Sequence, residues 1–398
     1  MFSFRTTPLI EQEDLVFRRG RVAVLCSQSA WFPDSGEYLF ETLYRRGTLA
    51  KVFVPCEGLF GEYAGSPIHG VVEQYSRFGL SGTEFVAVAP GEFTGEMLSD
   101  IDAIVIEYQD TGSRYDPVTE LVCSLFETLV RCDLAPSVYV LDRENPCGRG
   151  VEGTMGGPYG LPQVHGLTTG ELALMMQSEL GAHFSLHVIS YLVRSSTHYM
   201  LPWSIPAAAD VPGMFTFRFY SGMNMLKALP VSVGEGSGRP YEMFGAPWME
   251  KIGEEAGLGG GLEGGLLEGA GMLTESEEGL ALLCDEGVFA RWCRFTPARG
   301  AYAGQICYGY QLMPQPGPSY HSVSHFLRIL RYLRGVCPGY EPQVLSSVIS
   351  DKSLEAYVLG LEKWAPTREY MKEQEQKWMR KAKKYILYDD KLVRGTIR

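Results

Sequence analysis

The first strongly apolar stretch of the chain is Val22 to Cys26, within GRVAVLCSQSA, a short run rich in β-branched residues. A run with no polar side predicts a strand buried on both faces. The helix-like GEYLFETLYRRG follows, then the strand-like AKVFVPCEG, so the pattern begins as a βαβ unit. It continues through EFVAVAP, DIDAIVIEYQD, the helical PVTELVCSLFETLVRC and PSVYVLDREN. Apolar strands alternating with helices predict an α/β fold, a Rossmann-like parallel sheet covered by helices. TTGELALMMQSELG then reads as an amphipathic helix with Thr168 and Thr169 offering an N-cap, and FSLHVISYLV as a further strand.

Past this point the pattern changes. Pro202 to Gly213, PWSIPAAADVPG, holds three prolines in twelve residues and predicts an ordered loop near a boundary. From about Val231 come glycine-rich loops, a mixed pattern, the helix HSVSHFLRILRYLRG and a charged helix ending in KKYILY. The expected division is a Rossmann-like N-terminal domain over residues 1–228 and a smaller C-terminal α/β domain over 229–398, and a length of 398 residues fits two cores better than one. Gly259, Gly261 and Gly264 spell GxGxxG, but no strand precedes them and no βαβ unit encloses them. They read as a surface loop and not as a dinucleotide site.

Composition narrows the partners. With 45% hydrophobic and 21% charged residues the chain folds, and its net charge of -12 argues against nucleic acid or anionic lipid. The basic run Lys377 to Lys384, interleaved with Trp378, reads as a solvated helix face. Nine scattered cysteines without a CxxC pair predict neither a zinc site nor a disulfide framework, and reduced thiols fit a cytoplasmic protein. The opening MFSFRTTPLIEQEDLVFRRG has no apolar leader core, and no run reaches membrane-spanning length, so no membrane insertion is expected. His183 with His187, and His321 with His325, are four apart, but the first pair sits on a strand and the second lacks the HExxH glutamate. No metal and no cofactor is expected, and nothing in the sequence sets an oligomeric state.

In open α/β sheets ligands bind beyond the carboxyl ends of the strands. Three predicted strands end in polar clusters: Cys56, Glu57 and Gly58; Gln109, Asp110, Gly112 and Arg114; Asp142, Arg143, Glu144 and Asn145. Converging carboxylates, arginines and amides suit a sugar or another polyol, where acids protonate a leaving oxygen or activate water. Asp142 with Arg143 equally fits a structural ion pair, and Asp110 a loop cap. His165 precedes the capping-box pair Thr168 and Glu171 and is itself a candidate for substrate contact or proton transfer. A GxSxG elbow is absent, so serine-hydrolase chemistry has no support.

VLDRENPCGRGVEG followed by LPQVHGLTTGELA resembles the paired motifs VLDRPNPxGG..VEG and P.RHGMTxGELA of the exo-β-N-acetylmuramidase family. IEYQDTGSR, SVGEGSGRPYEMFGAPW, FTPARGAYAGQICYG and KKYILY resemble further motifs in order, from about Gly20 to Tyr388. The resemblance implies a Rossmann-like domain, a smaller α/β domain and a cleft between them. It also implies release of terminal N-acetylmuramic acid from the non-reducing ends of peptidoglycan fragments. With the strand-end clusters, the candidates for catalysis are Glu57, Asp110 and His165. Those for substrate contact are Gln109, Arg114, Asp142, Arg143, Asn145, Glu152, Thr168, Glu171 and Arg239, with Arg143 for the lactyl carboxylate. The chain departs from the pattern at three places. The family's PEHG is Pro55, Cys56, Glu57, Gly58; the arginine of SVGRG is Glu235, with Arg239 as its expected substitute; and PSPN is Pro206 to Ala209. Three readings stay open: a muramidase, a glycosidase of changed sugar preference, or a sugar-binding protein without hydrolysis.

Overall fold

The computed structural model describes residues 20–32, 36–190, 205–255, 287–314, 320–388 and 393–394. Outside them lie most of the N-terminal segment, the end of the FSLHVISYLV stretch, Pro202 and Trp203, the GxGxxG glycines and Cys284. Strands β1 (Val22–Cys26), β2 (Leu49–Pro55), β3 (Glu84–Val88), β4 (Ala103–Glu107), β5 (Ser137–Asp142) and β6 (Leu186–Ser190) form one parallel sheet in the order β3-β2-β1-β4-β5-β6. A two-residue strand, Gly70–Val71, adds antiparallel to the β3 edge. This is the expected Rossmann-like sheet, and its strand order reverses between β1 and β4.

The apolar runs follow from burial on two faces. Along β1, Ala23 and Leu25 enter one core with helices α2 (Pro117–Arg131) and α3 (Thr169–Leu180). Val22, Val24 and Cys26 enter the other, with α1 (Leu39–Arg45). Alternate residues point to opposite faces, so a strand covered on both sides has no polar positions to spare.

A second body carries an antiparallel sheet of β7 (Met243–Ala246), β9 (Cys307–Pro314) and β8 (Val288–Phe295), with β9 in the centre. Helices α4 (Met214–Leu226), α5 (Ser322–Val336), α6 (Pro342–Ile349) and α7 (Lys352–Val358) complete its core. α4 precedes position 228 yet packs in this second core, through Phe217, Phe219 and Met223. The last long helix, α8 (Trp364–Ala382), ties the two bodies together: Met371 lies in the second core and Trp378 and Ala382 in the first. Its buried positions recur at helical spacing, which leaves Lys377, Arg380, Lys383 and Lys384 in solvent. No described helix is long and apolar enough to cross a membrane.

Gly222 sets the approach of α4 to α5, because a Cβ there would stand 2.3 Å from the Phe326 ring and 2.8 Å from the Ser322 carbonyl oxygen. Gly222→Ala is expected to cost about 1–3 kcal/mol through overpacking, read as a lower urea midpoint at unchanged slope. An unchanged midpoint would mean that the two helices separate freely.

Candidate active site

The carboxyl ends of β2, β3 and β4, the start of α2 and the loop at Ala207 and Ala208 enclose a cleft of about 510 Å³, open mouth included. Its polar lining is Cys56, Glu57, Tyr108, Gln109, Thr111 and Asp116; prolines and aliphatic side chains make the rest. Glu57 holds its place through the turn that follows it. Gly58 donates its N–H to the Pro55 carbonyl, and its φ of +91° is one that a side chain would resist. Partial burial raises the Glu57 carboxyl above its ordinary pKa, and the charge of Asp210 adds to this; Lys227 and Arg299 oppose it, and Glu235 supports it. Charges carried by the second body therefore act on Glu57.

Asp116 is the N-cap of α2, immediately before Pro117 at the first turn. Its Oδ1 accepts the Val118 N–H at 2.9 Å and its Oδ2 the Thr111 N–H at 2.7 Å. Burial, and then the charge of Asp110, push its pKa well above the carboxylate range. Asp110 and His165 form a buried layer behind it. His165 Nδ1 accepts the Leu167 N–H at 3.2 Å, which leaves the proton on Nε2, 3.4 Å from Asp110 Oδ2. Asp110 Oδ1 takes the Gly112 N–H at 2.5 Å.

Gln109 Oε1 and Thr111 Oγ1 are buried, belong to cleft-lining residues and have no hydrogen-bond partner among the described residues. The Gln109 amide is fixed by its nitrogen, which donates to the carbonyls of Asp110 and Glu144 at 2.9 and 3.2 Å.

Residues 22–208 match the profile of the N-terminal domain of the exo-β-N-acetylmuramidase NamZ, and residues 269–388 match that of its C-terminal domain. The chain belongs to the exo-β-N-acetylmuramidase family. It is 24% identical over 310 residues to the peptidoglycan β-N-acetylmuramidase NamZ of Bacillus subtilis, covering 73% of this chain and 67% of that protein. Two crystal structures of DUF1343 family proteins from Bacteroides fragilis share its fold. Their TM-scores are 0.72 and 0.67 at 20% and 18% identity, and each alignment covers 96% of this chain and 97% of the other.

In this muramidase-family chain the other expected site residues are held inside the structure. Asp142 accepts from the Thr168 hydroxyl, the Gly170 N–H and the Tyr388 hydroxyl at 2.7, 2.7 and 2.6 Å. Burial nonetheless raises its pKa to about 6. Thr168 and Glu171 form the capping box expected of them, and Glu171 is further clasped by both Arg149 nitrogens and the Leu387 N–H. Asn145 bridges the Leu167 carbonyl and the Cys147 N–H. Arg114 donates to the carbonyls of Thr154, Leu161 and Ile349, joining the sheet body to α6. Glu152 accepts from Ser322 and Val323 at the start of α5. None of these six lines the cleft.

Arg143 donates to the Ser29 carbonyl at 2.7 Å and to buried Glu107 at 3.1 Å, and burial lifts Glu107 to about 7. Arg239 does not take the place of the missing arginine: its side chain is 55% exposed and pairs with Glu242. The cations that act on Glu57 are Lys227 and Arg299. The paired histidines share no site, since His321 caps α5 and bonds Glu375, His325 meets the Tyr320 hydroxyl, and His187 stacks on Tyr139. Lys227, Asp210 and Arg299 carry no local motif. Asp116 does, as an Asp-Pro helix start, which signals a cap and not a site.

Proposed function

We propose that the protein is a glycoside hydrolase that removes a terminal N-acetylmuramic acid, or a related N-acetylhexosamine, from the non-reducing end of peptidoglycan fragments. The observation that carries this is a pair of carboxylates, Glu57 and Asp116, lining one cleft at the carboxyl edge of the sheet. Their surroundings differ. Asp116, buried and next to the Asp110 charge, holds its proton more tightly, whereas Glu57 has two cations nearby. Such a split sets acid against base.

In this reading Asp116 gives its proton to the glycosidic oxygen as the bond to C1 breaks. Glu57 either takes the proton of the water that attacks C1, or bonds C1 first and is released by that water; the product is the free sugar in both cases. Both Asp116 oxygens accept one N–H each, and each keeps a second lone pair for the proton. Asp110 and His165 act as positioning residues.

Release of the terminal sugar from a muramyl disaccharide, run beside a calorimetric binding measurement, tests the proposal. Binding without turnover would favour the sugar-binding alternative, to which the Cys56 and Glu57 departure points. The pH profile is a second check. kcat/KM should rise as pH passes the Glu57 pKa, above the ordinary glutamate range, and fall as pH passes that of Asp116, which burial raises. Lys227 favours ionised Glu57, so Lys227→Met should move the acid limb to higher pH. A limb that stays in place excludes Glu57 as the group behind it.

A further inference from the structure

Two side chains outside the cleft tie down the turn that carries Glu57. Tyr75 belongs to the short 3₁₀ helix Glu73–Phe78 and is buried. Its hydroxyl oxygen accepts the Leu59 N–H at 2.6 Å, and its O–H donates to Glu62 Oε1 at 2.5 Å. The other Glu62 oxygen accepts the Phe60 N–H at 2.8 Å. One unbroken chain of hydrogen bonds thus runs from the Leu59 N–H through Tyr75 and Glu62 to the Phe60 N–H. Burial, and then the bond to Glu62, raise the Tyr75 pKa, so the phenol keeps its proton and remains the donor. A phenol donating to a carboxylate makes a charge-assisted bond, roughly twice as strong as a neutral one.

Glu57 sits inside this arrangement. Its carbonyl accepts the Tyr63 N–H at 2.8 Å, and the Leu59 carbonyl accepts the Gln28 N–H at 2.6 Å, just past the end of β1. A Cβ at Gly58 would stand 2.4 Å from Glu62 Oε2 and 2.8 Å from the Tyr63 ring, so the Glu62 carboxylate lies against the backbone next to Glu57. A Cβ at Gly61 would stand 2.7 Å from the Ala209 Cβ, and Ala209 follows the cleft-lining Ala208. The turn therefore carries Glu57 at one end and abuts the Ala207–Ala209 loop at the other. Without the Tyr75 hydroxyl the Leu59 N–H loses its acceptor and Glu62 Oε1 its donor, and the turn is held only by its own backbone bonds.

We infer that Tyr75 and Glu62 are positioning residues for Glu57, a hydroxyl–carboxylate clasp that fixes the turn so that the Glu57 carboxylate meets the anomeric carbon, or the water that attacks it, at reacting distance. The inference rests on the hydrolase reading of the cleft and deepens it. Neither residue lines the cleft, so both act through the backbone of the turn and not on the sugar. Such control is steep, because a displacement of about 1 Å at a reacting group costs about 10²-fold in rate.

The full chain is assayed on para-nitrophenyl N-acetylmuraminide, with urea unfolding measured in parallel. Tyr75→Phe keeps the ring and removes the hydroxyl. It should lower kcat by about 10–100-fold while KM changes by less than about threefold. It should also move the acid limb of the pH profile to lower pH, because a loosened turn lets water reach a carboxyl that burial holds above its ordinary pKa. Loss of folded protein alone lowers the amplitude and leaves the limb in place. Glu62→Ala should act in the same way, and Glu62→Gln, which keeps one acceptor, should recover part of the rate. The double variant Tyr75→Phe, Glu62→Ala should lose no more than the worse single one, since the two side chains act as a unit. Glu62 is exposed, so its variants decide the matter if Tyr75→Phe does not fold. An active parent whose kcat and acid limb persist in the folded variants overturns the inference, as does a rate loss that the folded fraction explains with the limb unmoved. A parent that does not hydrolyse the glycoside sinks the hydrolase reading, and the catalytic role of the clasp with it.

Discussion

Glutamine in place of Glu57 is expected to lower kcat by about 10²–10⁴-fold, the usual contribution of a positioned acid or base, while sugar affinity changes little. Glutamine keeps the volume and a carbonyl oxygen, so the turn through Gly58 and the approach of the second body remain in place. What is lost is the charge that removes a proton from water or bonds the anomeric carbon. A large loss in kcat with intact binding places the carboxylate in the chemical step. Residual turnover above a tenth of the parent's would remove Glu57 from it and leave the two departures at Cys56 and Glu57 without catalytic meaning. The matching change at Asp116 is less clean as a probe, because that side chain also caps α2 through the Val118 N–H.

Arg149→Met is expected to destabilise the fold by about 3–5 kcal/mol, since it removes one member of a buried ion pair and strands the other. Glu171 is fully buried and is clasped by two Arg149 nitrogens, while its remaining contacts are the N–H groups of Thr168 and Leu387. Two backbone donors are a weak substitute for a bidentate guanidinium. Guanidinium-induced unfolding measures the effect, and the double variant Arg149→Met, Glu171→Leu should recover much of it, since a hydrophobic pair leaves no charge behind. A single-variant loss below about 1 kcal/mol would mean that solvent reaches Glu171, against its burial. The site shares in the consequence, because the same capping box seats Thr168 and Gly170 on Asp142 at the end of β5.

Part of this was readable along the chain. Unbroken apolar runs of about five residues alternating with helix-period segments lead to a two-faced parallel sheet with polar residues following its strands. The capping box of Thr168 and Glu171 is local chemistry, and the structure forms it. Glu57 was legible for the same reason: it follows a strand by two positions, where the chain must turn into the cleft.

The remaining assignments depended on partners far away in sequence. Asp142, Arg114 and Glu152 looked like crevice residues because they follow strands or fall on a family motif. Each is instead taken up internally, Asp142 by Tyr388, Arg114 by the Ile349 carbonyl and Glu152 by the start of α5. A buried polar group takes whichever partner the fold brings to it, and those partners lie 246, 235 and 171 residues away. The same holds in reverse for Asp116, which reads as a cap, and for Lys227, Asp210 and Arg299, which read as nothing in particular until the fold lets their charges act on Glu57. The sequence by itself determined the sheet and the edge where polar residues gather, because these follow from local periodicity and strand ends, and it determined the family through motifs contiguous in the chain. Which charges act on Glu57 was decided by the tertiary structure alone, because Coulomb interactions depend on distance in space and not on distance along the chain.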